Sequence, residues 1–203
     1  MFSIIRMNEA LSLIIASIVI ALVFGSSELF YGSYTKFLLV SLIAIIAVIP
    51  HELAHRWSAR RLGCYSRYVL SPIGLLLTLI TAIPFIPIKV IMPGFTLVIS
   101  PYHDPYINKR INGIVSIAGP ITNLVFASIS LFTLALLIKQ GFINTLLIYF
   151  LYNNTLINSW VALFNLLPVP PLDGSKIISW KPLLWIISFA LSIMMLGATF
   201  FIF

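Results

Sequence analysis

The sequence predicts an all-α polytopic membrane protein with about five to six transmembrane helices and a short membrane-associated β or re-entrant element. Three observations lead there. Of 203 residues, 61% are hydrophobic and only 8% charged, against about 45–50% and about 25% in an ordinary soluble domain. The mean hydropathy is +1.10. The apolar residues fall into runs long enough to cross a hydrocarbon core about 30 Å thick, with basic residues between them. A soluble globular enzyme, a disordered chain and a nucleic-acid binder are excluded, and the lipid bilayer is the expected partner. We expect a single integral-membrane domain over residues 1–203, without room for a further soluble domain. Its spans at about 37–59, 112–138 and 142–174 carry the polar motifs. The one cysteine, Cys64, allows no intrachain disulfide and reads as a small residue at the membrane boundary.

The elements follow in order. The first apolar run is about Leu11 to Phe24, preceded by Arg6 and followed by a weak turn signal at Gly25-Ser26-Ser27. It resembles a signal peptide, but the rest of the chain is equally apolar, so a retained helix is expected. Glu28 and Lys36 are placed in an outer loop. The second run, Phe37 to about Ala54, ends in a basic cluster of Arg56, Arg60, Arg61 and Arg67. Residues Tyr68 to Ser100 are apolar but interrupted by Pro72, Gly74, Pro84, Pro87, Pro93 and Gly94. Such breaks oppose a straight helix, and a re-entrant or interfacial hairpin is expected. Within it, Phe95 to Ile99 suits a short strand as well as a helix. A polar loop from Pro101 to Asn112 precedes three further runs: Ile114 to Ile138, Phe142 to about Leu167, and Leu183 to Phe203.

Charge sets the expected orientation. If the N-terminus is cytoplasmic and the Tyr68–Ser100 stretch does not cross, Arg6, Arg56, Arg60, Arg61, Arg67, Lys89, Lys109, Arg110, Lys176 and Lys181 are inside. Only Lys36 and Lys139 are then outside. Ten against two fits the retention of Lys and Arg on the cytoplasmic side. A tight hairpin crossing twice would preserve the same bias.

The chemistry sits in the few polar residues of the spans. His51-Glu52-Leu53-Ala54-His55 is an H-E-x-x-H pattern. Residues four apart share a helix face, so both imidazoles can reach one metal, while Glu52 beside them can move a proton. Two of only three histidines and one of only five acidic residues fall in this pattern. Ionisable groups in a membrane span are costly and mark function. A catalytic zinc site takes three protein ligands and an open position. Candidates for the third are Asp173, Asp104, Glu9, Glu28, His103 and Cys64. Asp173 stands out because Pro168, Pro170 and Pro171 deny helix to the stretch before it, so the chain can bend back toward the site.

Taken together, the motifs resemble the site-2 protease family of intramembrane zinc metalloproteases, in a compact form without a PDZ domain. The residues are His51-Glu52-Leu53-Ala54-His55, Gly119-Pro120-Ile121-Thr122-Asn123, and the long Asn165 to Gly174 motif of N-x-x-P-x-x-x-x-D-G form. The Lys89–Val98 segment is similar to the family's membrane-associated β-region. The resemblance implies one Zn2+ per chain on His51, His55 and Asp173. It implies Glu52 as general base and Asn165 as a residue that orients substrate or polarises the scissile carbonyl. Asn123 would hydrogen-bond between helices or within the active site. The implied partners are transmembrane-helix proteins as substrates, and the expected location is the cell membrane, with the active site toward the cytoplasmic side. Two other classes fit some of the features: a noncatalytic membrane adaptor, opposed by the intact polar set, and a metal transporter. A transporter would need a polar pathway through the outer halves of the spans, which are almost purely apolar. Neither the substrate nor the oligomeric state is encoded in these patterns.

Overall fold

The computed structural model describes residues 5, 7–84, 86–142 and 144–201. Its elements are α1 (Glu9–Phe30), α2 (Tyr34–Arg61), β1 (Tyr65–Leu70), α3 (Pro72–Ile80), β2 (Gly94–Ile99), α4 (Pro105–Lys139), α5 (Thr145–Asn165), α6 (Asp173–Trp180) and α7 (Pro182–Thr199). Arg6, used above for orientation, lies outside the described residues.

Local chemistry explains where the helices begin. The side chain of Asn8 accepts from the Ala10 amide, and that of Asn144 from the Leu147 amide, taking up donors that a helix start leaves open. Asp104 accepts from the amides of Tyr106 and Ile107, with Pro105 as the first helical residue. That cap corrects the expected loop over Pro101 to Asn112, because residues 105–112 already belong to the 35-residue α4. The Gly25-Ser26-Ser27 signal likewise does not end α1. Three residues separate α1 from α2, so Glu28 and Lys36 are helical rather than in a loop.

Among the described residues, four helices, α1, α2, α4 and α7, are long and apolar enough to cross a membrane, which fits an integral membrane protein. This is fewer than the five to six expected. The Phe142–Leu167 run accounts for the difference. Its helix, α5, has 21 residues but carries Asn153, Asn154 and Asn158, which make it too polar to count. Asn154 and Asn158 are buried. The lipid-facing character of the others is visible in α4, where Ile121, Val125, Ile129 and Phe132 form an exposed apolar stripe.

The core lies where α1, α2 and α5 meet. Ala16, Ile20, Ile43, Ala44, Ala47, Ile157 and Val161 are buried there. The alanines let helix backbones approach closely, which is how helices associate without a hydrophobic drive. α4 packs against both α2 and α5, and α6 packs against α4 and α7.

The proline-broken stretch resolves into β1, α3 and β2. The two strands are antiparallel, with Tyr68 opposite Thr96 and Leu70 opposite Gly94. The strand reading of Phe95 to Ile99 holds over the helical one, and Tyr65 to Leu70 supplies the partner. The far edge of β1 is occupied. The Ile5 amide donates to the Leu70 carbonyl at 3.0 Å, and Glu9 Oε1 accepts from the Tyr68 amide at 3.0 Å. Arg67 Nη2 donates to the Met7 carbonyl at 2.9 Å. The sheet is therefore tied to the start of α1 on one side only.

Candidate metal centre

Helix α2 presents His51 and His55 one turn apart on its buried face. Asp173 reaches them from the first turn of α6, a short helix that begins directly after the proline-rich stretch. A donor atom from each of the three lies within 4.8 Å of the others. His55 Nε2 is 3.0 Å from His51 Nε2 and 3.0 Å from Asp173 Oδ2, and His51 Nε2 is 3.7 Å from that same oxygen. Donors held about 2.0–2.1 Å from a tetrahedral zinc lie roughly 3.3 Å apart, and these spacings bracket that value.

The hydrogen bonds on the far side of each ring decide what the near side offers. His55 Nδ1 lies 2.7 Å from the Val115 carbonyl. A carbonyl only accepts, so Nδ1 carries the proton and Nε2 presents a lone pair. His51 Nδ1 meets Asn123 Oδ1. The orientation of that carboxamide is dictated in turn: Asn123 Nδ2 donates to the Ala47 carbonyl and to Asn158 Oδ1, both at 2.9 Å. Asn158 is turned the same way because its Nδ2 donates to the Asn154 carbonyl at 3.0 Å. Main-chain carbonyls thus fix both amides, and His51 also presents a bare Nε2. Burial opposes the charged form of the Asp173 carboxyl, and the Lys176 ammonium 3.6 Å from its Oδ1 favours it. Three acceptors converging in a buried place call for a cation between them. The donor set fits Zn2+.

Gly119 makes room for that cation. A β-carbon there would sit 2.4 Å from His55 Nε2 and 2.6 Å from His51 Nε2. The G-P-x-x-N motif therefore has two separate parts: the glycine clears the face of α4 toward the histidines, and the asparagine, one helical turn on, orients one of them.

A cavity of about 430 Å³ opens beside the three donors. His51, Glu52, His55, Thr96, Asn112, Asn165, Asp173 and Lys176 are among the residues lining it, together with β2 from Gly94 to Val98. Glu52 does not belong to the donor group. Its Oε2 accepts a hydrogen bond from Thr96 Oγ1 at 2.8 Å. Asn165, at the C-terminal end of α5, lines the cavity and anchors its Nδ2 on the Val161 carbonyl at 2.9 Å. Tyr68, buried in β1 opposite Thr96, has its phenol pushed well above the ordinary range by burial and by the nearby Glu52, so it stays neutral.

The other candidates for a third ligand are engaged elsewhere. Glu9 is ion-paired with Arg56 at 3.3 Å, Glu28 accepts from the Tyr149 hydroxyl, and Asp104 caps α4. His103 is exposed, and Cys64 is buried at the turn after α2. Sequence reasoning missed Thr96, Asn154 and Asn158. The two asparagines were detectable as polar residues four apart in an apolar run. Nothing in the sequence marks Thr96.

Comparison with known proteins agrees with the chemistry. The chain is 36% identical over 185 residues to a protein of Methanocaldococcus jannaschii, covering 89% of this chain and 88% of that one. It is 35% identical over 159 residues to a protein of Bacillus subtilis, covering 72% of this chain and 69% of that one. Both are named "putative zinc metalloprotease". No family model matches the chain, and no solved structure does.

Proposed function

This chain belongs to the zinc metalloprotease family of its archaeal and bacterial relatives, and on that premise we propose that it is an intramembrane protease of the site-2 type. Its reaction is hydrolysis of peptide bonds within the transmembrane helices of other proteins. One observation carries the reading: His51 and His55 stand on α2, and α4 walls the cavity beside them, both helices long and apolar enough to cross a membrane. A site in that position meets substrates that are themselves in the membrane.

The residues take their roles from position. His51, His55 and Asp173 hold the ion. Zinc bound there would polarise the scissile carbonyl and lower the pKa of an attacking water toward about 7. Glu52, beside the ligands but outside the donor group, takes the proton from that water and returns it to the leaving amine. Asn165 orients the substrate or hydrogen-bonds the scissile carbonyl from the cavity wall.

A transmembrane helix conceals its own amides, so the substrate must unwind locally before it can be cut. β2 offers it a partner. One edge of β2 is paired with β1, and the other borders the cavity, where an extended segment can add as a further strand. Water must reach the site as well. The excess of Lys and Arg on the side of Arg56, Arg61 and Lys176 supports an orientation with that end of the bundle toward the cytoplasm.

The test is incubation of purified protein, in detergent or reconstituted bilayers, with a model single-span substrate, with and without a zinc chelator. Cleavage within the span that the chelator abolishes and added zinc restores is expected. Cleavage only outside the span, or cleavage indifferent to the chelator, overturns the reading.

A further inference from the structure

The sheet and the base meet at one residue. In an antiparallel pair, facing residues either exchange main-chain hydrogen bonds or both turn those groups away from each other. The Tyr68 amide is turned away from β2, because it donates to Glu9 Oε1. Tyr68 faces Thr96, so the main-chain N–H and C=O of Thr96 point away from β1, toward the free edge. The Leu70 carbonyl, two residues on, also points outward, since it accepts from the Ile5 amide. The same alternation places Gly94 and Val98 with Thr96 on the free edge. Among the described residues, no hydrogen bond takes up these groups.

The side chain of Thr96 leaves the plane of the sheet and donates its hydroxyl to Glu52 Oε2 at 2.8 Å. We propose that Thr96 is a positioning residue that couples docking of an extended substrate to orientation of the general base. This rests on the proteolytic reading above and extends it. A strand adding to β2 hydrogen-bonds the main chain of Thr96 and so fixes the backbone from which the hydroxyl reaches Glu52. With Oε2 held by Thr96, the carboxylate cannot rotate freely, and Oε1 is the oxygen left to take a proton. In a polypeptide that fails to pair with the strand, the base is less well placed. Thr96 thereby favours extended segments over polypeptide that merely enters the cavity.

The test compares wild type with Thr96→Val and Thr96→Ser. Valine keeps the β-branched shape and the main-chain hydrogen bonds but loses the donor, and serine restores the donor. Each protein is purified, its zinc content measured, and kcat and KM determined on a single-span substrate and on an unfolded soluble polypeptide. Thr96→Val should hold zinc as wild type does and keep KM within about twofold. Its kcat should fall about 10- to 100-fold, as expected for a hydrogen bond to a charged group, and Thr96→Ser should recover most of that loss. Wild-type kcat in Thr96→Val, an effect confined to KM, or a Thr96→Ser variant no better than Thr96→Val overturns the proposal. Wild-type cleavage of only the soluble polypeptide overturns the intramembrane reading instead, and the same kcat comparison on that polypeptide then judges Thr96.

Discussion

Asn123 Nδ2 donates to Asn158 Oδ1 at 2.9 Å, so a helix that supplies no metal ligand determines which nitrogen His51 turns toward the ion. All three residues are buried, and none of these bonds is exchanged with solvent. The arrangement continues through Asn158 to Asn154, and from Asn154 Nδ2 to Ser130 Oγ at 2.6 Å. It joins α5 to α4 by the same polar contacts that orient the ligand.

Replacing Asn158 by Leu removes the acceptor that holds the Asn123 carboxamide. Zinc affinity is expected to fall about 10- to 100-fold, the usual cost of losing a partner behind a ligand. Chelator competition measures it, with circular dichroism as the control for folding. Unchanged affinity in a folded variant would mean that the Ala47 carbonyl alone holds Asn123.

The metal itself is tested by stoichiometry. Wild type should carry one zinc per chain, and the His51→Ala, His55→Ala double variant none. Elemental analysis of the purified proteins decides it, and full zinc content in the double variant would remove the centre from these residues.

Glu52→Gln and Asp173→Asn should separate proton transfer from metal binding. The first keeps volume and leaves the donor group intact, so zinc content should survive while cleavage falls by about 10²- to 10⁴-fold. The second removes a charged ligand, so zinc and cleavage should fall together. Loss of zinc from Glu52→Gln would make Glu52 part of the metal site.

Gly119→Ala offers an opposed pair of effects. Alanine favours a helix over glycine by about 0.8–1.0 kcal/mol, yet its methyl would lie 2.4 Å from His55 Nε2. The helical signal should hold while zinc binding falls sharply. Normal zinc content would show that the histidines can retreat.

A cysteine placed near Arg61 or Lys176 should react with an impermeant reagent from the cytoplasmic side, and one near Gln140 from the opposite side. Labelling of the first two from outside would invert the orientation proposed here.

The sequence was most legible where function forces costly residues into apolar surroundings. His51 and His55 stand out because a membrane helix has few reasons to carry them, and Asp173 because the prolines before it prevent a continuous span. α5 was misjudged for the complementary reason. Asn154 and Asn158 are surrounded by protein rather than lipid, and a hydropathy profile does not distinguish those two surroundings. α6 was missed because a helix of eight residues following three prolines has no periodicity of its own to read. Thr96 was invisible because its role depends on register: shifted by one residue along β2, the same hydroxyl would face the other side of the sheet.

The occupied outer edge of β1 also governs how many molecules the sheet can engage. A strand ladder open at both ends can propagate from chain to chain. Here the Ile5 amide and the Glu9 carboxylate engage the β1 edge, so a segment can add only along the free edge of β2. Under the docking proposed above, two segments competing for that edge exclude one another there. Glu9→Ala should cost more than an ion pair with Arg56. It would free the Tyr68 amide on the outer edge of β1, while the Ile5 amide still holds the Leu70 carbonyl of that edge.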